Sequence, residues 1–234
     1  MTRGVLTLEA VEDELPQREL FSQEQLERHA ERLASSHQVA PDARRGRPLI
    51  PHVDESARQL DEAYRHLSSA PRGVQAVPSE DWLRDNHHVV QDQVRAIRQD
   101  LPRKYYFELP KLADSPFAGY PRVFVIARDL VVHTAGRFDL QTLVGYVVAY
   151  QRVAPLSIGE NWAIPIMLRV ALVDELRRLA ADVVAANRER EEARRWGVRF
   201  VESAAEPAKV IDESLRAALQ KTGKLSAAFV VELL

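Results

Sequence analysis

The residues best suited to chemistry lie in three short stretches that combine aromatic rings with polar or acidic side chains. In "WLRDNHHVVQDQ", helical spacing places Asn86 beside an apolar stripe and near Trp82. Glu108 in "YYFELP" and Trp162 in "GENW" have comparable surroundings. An indole face can stack on a sugar ring while amides or carboxylates bond its hydroxyls, and the alternative is an inward polar network. The candidate carbohydrate-binding residues are therefore Trp82, Asn86, Glu108 and Trp162.

Glycoside hydrolysis would need two carboxylates that face each other across a cleft. Glu108 and Glu160 are the two acids in aromatic surroundings. Glu160 is already explained as a helix cap, and Glu108 as an anchor for a loop. The sequence also lacks a G-x-S-x-G nucleophile elbow and a glycine-rich phosphate loop. Catalytic residues therefore stay unassigned.

The histidines show no spacing typical of a metal site. The neighbours His87 and His88 diverge by about 100° on a helix and cannot share one ion. The others are scattered without a pattern such as H-E-x-x-H: His29, His37, His52, His66 and His133. We therefore predict no metal site and no cofactor in this chain.

The composition is that of a globular protein without a specialised electrostatic field. The 234 residues are 46% hydrophobic and 28% charged, and the formal net charge is −2. This balance offers no broad basic surface for nucleic acid. The absence of cysteine excludes disulfides and thiolate metal sites. The first twenty residues do not resemble a signal peptide, and no stretch reaches the roughly 18 apolar residues of a membrane span.

The pattern along the chain predicts an all-α fold, a multi-helix bundle of about six to eight helices. A 3.6-residue apolar period is nearly continuous, and only 9 glycines are present. Helix starts are predicted at Ser22, which forms a capping box with Gln25, and at Ser79 and Asp139. "KYYFELPKLADSPFAGYP" is expected to be a connector.

The longest predicted helix begins at a second capping box, formed by Ser157 and Glu160. Pro165 lies about two turns inside and should kink this central helix. Arg169 lies in its apolar zone with no acid one turn away. Because an unpaired buried cation is very costly, Arg169 must reach the surface or pair with an acid from another helix. We assign structural roles to all four residues.

Three segments are predicted along the chain. Residues 1–21 read as a flexible lead-in, residues 22–200 as a helical accessory domain, and residues 201–234 as C-terminal helices. The closing "SAAFVVELL" is apolar, whereas a domain normally ends on a polar, frayed segment. We therefore expect the chain to be cut before a following domain.

Several long motifs resemble the N-terminal region of cyclic β-1,2-glucan synthases. They are "PSEDWLRDNHHVVQDQVRAIRQDLPRKYYFELPKL", "GYPRVFVIARDLVVHTAGRFD" and "SIGENWAIPIMLRVALVDELRRLA", flanked by "ELFSQEQLERHAERLASSHQV" and "LSAAFVVELL". Their order also resembles that region, over most of residues 19–234. In that family, a soluble N-terminal region precedes a membrane-embedded glycosyltransferase that polymerises glucose from UDP-glucose.

The resemblance implies a parent protein in the bacterial inner membrane, with this segment in the cytoplasm. UDP-glucose and a divalent metal are expected only for the missing transferase domain, because this chain has no D-x-D pair and no Q-x-x-R-W motif. The expected partners are that glycosyltransferase domain and, as a second candidate, β-1,2-glucan. The chain alone is not expected to be catalytic. A free-standing helical scaffold and a small carbohydrate-active enzyme using Glu108 and Glu160 are the alternatives.

Overall fold

A computed structural model describes residues 19–41, 46–69, 77–114, 116–202 and 216. This part of the chain is all-α, as predicted, and contains seven helices. They are α1 (Gln23–Ser36), α2 (Ile50–Ser69), α3 (Pro78–Asp100), α4 (Arg103–Glu108), α5 (Arg122–Thr134), α6 (Leu140–Val153) and α7 (Ile158–Glu202). Most of the predicted lead-in and nearly all of the predicted C-terminal helices lie outside the described residues.

The helix ends follow the local capping chemistry. Ser22 and Gln25 exchange side-chain and backbone bonds at the start of α1, as the capping box predicts. The Asp139 carboxylate accepts from the backbone N–H of Thr142 at the start of α6. Helix α3 begins at Pro78, one position before the predicted cap Ser79. These signals lie within four residues of the ends that they determine, so the sequence alone reveals them.

The helices fall into two compact units. The first unit comprises Met1–Leu60 and His87–Arg177, and the second comprises Asp61–Asn86 and Arg178–Leu234. In the first unit, α5 is buried on nearly every side, with Val123, Phe124, Leu130 and Val131 at 0–1% exposure. The chain leaves this helix through the left-handed residue Ala135 (φ 50°) and Gly136 (φ 71°).

Helix α1 packs along α6 within the first unit. The approach is close at Gly145, where a Cβ atom would lie 3.0 Å from Oε1 of Glu27. Leu26, Ala30 and Ala34 form the buried face of α1 at helical spacing. Helix α6 also supplies Tyr146 and Tyr150, whose side chains are almost fully buried.

Helix α7 continues through Pro165, which lies inside it. The apolar zone after Trp162 is buried as predicted, with Ala163 and Met167 at 0% exposure. Arg169 Nη1 donates to Asp100 Oδ2 at the end of α3 over 2.6 Å, and a third of its side chain is exposed. Arg169 therefore both pairs with an acid from another helix and reaches water. The kink at Pro165 remains a prediction.

The predicted connector contains the short helix α4, although its proline-rich pattern predicted a loop. Lys111 follows it and is 0% exposed. Its Nζ donates to the carbonyl oxygens of Tyr106 and Leu109 at 2.5 and 2.6 Å, and lies 4.6 Å from the centre of the Tyr106 ring. Burial lowers the pKa of Lys111 to about 8. This ammonium bonds two carbonyl oxygens at the C-terminal end of α4, and that of Tyr106 also accepts from the Leu109 N–H over 3.3 Å.

The second unit contains a buried acid, Glu80, at 7% exposure. Asn187 Nδ2 donates to Glu80 over 3.2 Å, Arg190 also donates to it, and Arg84 lies 4.0 Å away. Arg84 in turn donates to the carbonyl oxygen of Leu67 at the end of α2. None of the helices in the described residues is long and apolar enough to cross a membrane.

Candidate functional site

The structure does not gather the four candidate carbohydrate-binding residues within either unit. Trp82 and Asn86 belong to the second unit, and Asn86 Nδ2 donates to the carbonyl oxygen of Trp82 over 2.9 Å. Glu108 and Trp162 belong to the first unit, and both are exposed. Trp82 is 49% exposed and Trp162 76%, so both indoles remain accessible to a ligand. Their carbohydrate-binding role stays a prediction.

Glu160 is a buried carboxylate with an arginine and a backbone N–H as its partners. The residue is 0% exposed. Its carboxylate accepts from Arg122 Nε at 2.5 Å and Nη2 at 2.9 Å, and from the Ser157 backbone N–H at 2.8 Å. Ser157 Oγ accepts from the Glu160 N–H over 3.2 Å, which completes the predicted capping box. These partners support the structural role predicted for Glu160 and argue against its use with Glu108 as a catalytic pair.

The protonation of Glu160 follows from these contacts. Burial alone would raise the pKa of Glu160, but hydrogen bonds from Arg122 and from the Ser157 backbone outweigh it and lower the pKa. Arg122 Nη2 also donates to the Pro155 carbonyl oxygen over 2.8 Å. One guanidinium at the start of α5 thus joins the carbonyl before α7 to the cap of α7 itself. The sequence predicted the cap but not Arg122, which lies 38 positions earlier.

A second polar group extends from this pair toward α1. His37 Nδ1 lies 2.8 Å from the hydroxyl of Tyr150, which also hydrogen-bonds to Arg122. Burial lowers the pKa of His37 to about 4, with Arg122 adding to the effect and Asp129 opposing it. His37 is therefore neutral at physiological pH. Burial also raises the pKa of Tyr150 to about 12.

Two histidines that lie far apart in the sequence meet at one carboxylate, Asp129. His29 Nε2, on α1, lies 3.1 Å from both oxygens of Asp129. His133 Nε2, one turn after Asp129 on α5, lies 3.7 Å from Oδ1. Tyr146 donates its hydroxyl to Oδ2 over 2.6 Å. Two of the histidines that are scattered in the sequence are therefore close in space, whereas the prediction of no metal site stays untested.

Two residues that contact His133 of the cluster also line a groove. His133 Nδ1 lies 2.9 Å from the carbonyl oxygen of Glu19, and the Phe21 ring stacks on His133 with centroids 4.1 Å apart. Glu19 and Phe21 also line a groove of ≈ 700 Å³ beside α1. The last residues of the predicted lead-in thus contact α5.

Helix α6 carries an apolar stripe on the side that faces water. Leu140, Val144 and Val148 recur every four residues and are 74%, 51% and 45% exposed. Four-residue spacing places them on one face of the helix. Isolated exposed apolar residues are ordinary, but a contiguous row on one helix favours a contact with another surface.

The sequence comparison assigns the chain a relative. Over 130 residues, which is 55% of the chain, it is 35% identical to the cyclic beta-(1,2)-glucan synthase NdvB of Rhizobium meliloti (strain 1021). The chain is related to part of a glucan synthase. The matched stretch spans about 5% of the length of that relative. No protein-family model matches the chain. The resemblance inferred from the motifs is confirmed over this stretch.

The sequence contained a partial signal for the histidine cluster. Asp129 and His133 are four apart, which places both on one face of α5. The pattern H-E-x-x-H does not cover a mixed aspartate–histidine pair. His29 lies 100 positions before Asp129, so no local pattern could have linked it to that pair.

Proposed function

We propose that the chain is a helical accessory module of a cyclic β-1,2-glucan synthase-like protein. The observation that carries this proposal is the 35% identity to a cyclic beta-(1,2)-glucan synthase over 130 residues. In this proposal, the parent transfers glucose from UDP-glucose and cyclises the glucan. The module packs on the glycosyltransferase domain or positions the growing chain, and it does not transfer glucose itself.

The first test asks whether the chain acts alone. Purified protein is incubated with labelled UDP-glucose and Mg²⁺, and the products are separated by size. We expect no labelled glucan, because the chain has neither D-x-D nor Q-x-x-R-W. Measurable glucosyl transfer would overturn the accessory role.

The exposed stripe on α6 is the surface proposed to contact the transferase domain. Removal of an apolar face from water stabilises a contact by about 25 cal/mol per Å². Three side chains in a row offer such a face: Leu140, Val144 and Val148. The glycosyltransferase domain of the parent is the proposed occupant, since a sequence relative carries the matching segment within one long synthase.

The stripe is tested by replacing Leu140, Val144 and Val148 together with serine. The matched control replaces three other exposed apolar residues, Val89, Leu172 and Leu179. Each purified chain is mixed with membranes that contain the synthase without this segment, and co-sedimentation is measured. We expect the stripe variant to bind about ten-fold more weakly or worse, and the control to bind like the unchanged chain.

Two results would contradict this docking surface. Equal loss in the stripe and control variants would mean that general surface hydrophobicity drives sedimentation. If the unchanged chain does not co-sediment with the membranes, packing on the transferase is rejected and the free-standing scaffold is favoured.

Contact with the glucan is a second proposed role, supported by the exposure of Trp162 at the start of α7. Ile158, one turn earlier, is 79% exposed and widens the apolar platform. Stacking on an indole should make β-1,2-gluco-oligosaccharides quench tryptophan fluorescence and raise Tm. We expect Trp162→Ala to lose the Tm shift, and Trp82→Ala to show whether the other exposed indole contributes. Equal shifts in all three proteins would reject stacking at both positions.

A further inference from the structure

The side chains of His29, Asp129 and His133 form a ligand set that the accessory role does not use. We propose that they bind one divalent transition-metal ion, with Zn²⁺ as the ion whose ligand preferences they meet. Two imidazole nitrogens and one carboxylate oxygen suit Zn²⁺ and its neighbours in the first transition row. Mg²⁺ and Ca²⁺ prefer oxygen ligands throughout and are poor candidates for this set.

The distances fit a shared ion. One ligand atom from each residue can be chosen so that all lie within 4.8 Å of one another. The separations from Asp129 oxygens are 3.1 Å to His29 Nε2 and 3.7 Å to His133 Nε2. Ligands held about 2.0–2.1 Å from tetrahedral zinc lie roughly 3.3 Å apart. Small side-chain rotations would therefore place all three atoms on one ion.

The surroundings orient the ligands in the manner typical of metal sites. A carbonyl oxygen only accepts, so His133 Nδ1, 2.9 Å from the Glu19 oxygen, carries the proton. Nε2 is then the ring nitrogen that could bind a metal ion, and it lies 3.7 Å from Asp129 Oδ1. Tyr146 holds the other carboxylate oxygen over 2.6 Å. Outer partners of this kind fix ring orientation and ligand direction.

The site is also within reach of solvent. The side chains of His29, Asp129 and His133 are 23%, 18% and 16% exposed. Phe21 covers His133, and Phe21 and Glu19 open onto the groove beside α1. Three protein ligands would leave the fourth zinc position for water or another small ligand.

The test uses the full 234-residue chain without an affinity tag, stripped with a chelator. Zn²⁺ and Co²⁺ are titrated separately, bound metal is counted by elemental analysis, and Co²⁺ coordination is recorded by visible absorption. We expect one Zn²⁺ or Co²⁺ per chain and no displacement by excess Mg²⁺. An increase in Tm with zinc should follow from binding to the folded state alone.

Four variants test the location of the ion. His29→Gln and His133→Gln should each lose stoichiometric binding, whereas His88→Gln, an exposed histidine on α3, should bind like the unchanged chain. Tyr146→Phe keeps all three ligands but removes the outer hydrogen bond, so its affinity should fall about ten-fold. Circular dichroism confirms that each variant is folded.

Two outcomes would overturn the proposal. The first is an unchanged chain that retains far less than one ion after titration, which makes the cluster a polar network of the core. The second is unaltered Zn²⁺ affinity in both His29→Gln and His133→Gln. The first outcome needs no variant, so misfolding cannot obscure it.

Discussion

Two carboxylates in the first unit are stabilised in opposite ways. Glu160 is completely buried and is closed off by the guanidinium of Arg122 and by the backbone at Ser157. Asp129 retains 18% side-chain exposure, and its partners are two histidines and a phenol. Arg122 is permanently charged, whereas the partners of Asp129 can rotate or exchange a proton.

The difference indicates different uses for similar chemistry. A carboxylate bound by a fixed cation contributes a constraint and offers nothing to a ligand. A carboxylate held by imidazoles and a phenol can accept a new cation without first displacing an arginine. The Glu160–Arg122 pair therefore fixes the start of α7 against α5. The Asp129 cluster, in contrast, can still accept a cation.

The largest expected loss of stability comes from breaking the Arg122–Glu160 pair. Arg122→Met leaves the buried Glu160 carboxylate without its cation, and loss of one partner from a buried pair costs about 3–5 kcal/mol. The free energy of unfolding is measured with urea. The control is Arg152→Met, because the Arg152–Glu31 pair is exposed on both sides and should be worth no more than about 1 kcal/mol. Equal losses would mean that Glu160 is not held as described.

Acid should destabilise the protein through His37, which lies beside the Arg122 network. Its folded pKa of about 4 lies below the ordinary 6.5, so the unfolded chain binds the extra proton first as pH falls. Stability is therefore lost between pH 6.5 and 4, by on the order of 2 kcal/mol. Urea titrations at several pH values should show a flatter profile for His37→Gln. Identical slopes would contradict burial of a neutral His37.

Removal of the Asp129 carboxylate should reduce stability less than breakage of the Arg122–Glu160 pair does. Asp129→Asn retains an oxygen for Tyr146 but turns its amide toward His29, so about 1–2 kcal/mol should be lost in chelator. With added zinc, the unchanged chain should gain stability and the variant should not. Urea unfolding with and without zinc measures both. A loss as large as that of Arg122→Met would remove the distinction between the two carboxylates.

The smallest effect is expected at a residue outside both networks. Trp162 is 76% exposed, so Trp162→Ala should change the free energy of unfolding by no more than about 0.5 kcal/mol. Thermal unfolding without sugar provides the measurement. A larger loss would mean that the indole supports the core, and its proposed contact with glucan would lose its basis.

Local signals made most of the fold predictable. The caps at Ser22, Asp139 and Ser157 act within one helical turn, and the apolar period predicted which faces are buried. Helix α4 was missed because the prolines that flank it predict a loop, whereas Tyr106 is held by burial. Tertiary contacts overrode the local pattern there.

The polar contacts could not be predicted, because their partners lie far apart along the chain. Arg122 and Glu160 are 38 positions apart, and His29 and Asp129 are 100 apart. A single sequence contains no record of such encounters, so Glu160 was recognised as a cap while its cation was missed. Trp82 and Trp162 show the converse: their types predicted a binding surface, but not that they would lie in separate units.

The buried Lys111 can be used to measure local opening of the structure. A lysine with a pKa of about 8 is partly neutral in mild alkali, and the neutral amine is the form that acylating reagents attack. Its complete burial withholds that amine until the segment around it opens. The labelling rate of this side chain should therefore report how often the connection between α4 and α5 opens locally. Lys111 is a natural residue, so no probe has to be introduced there.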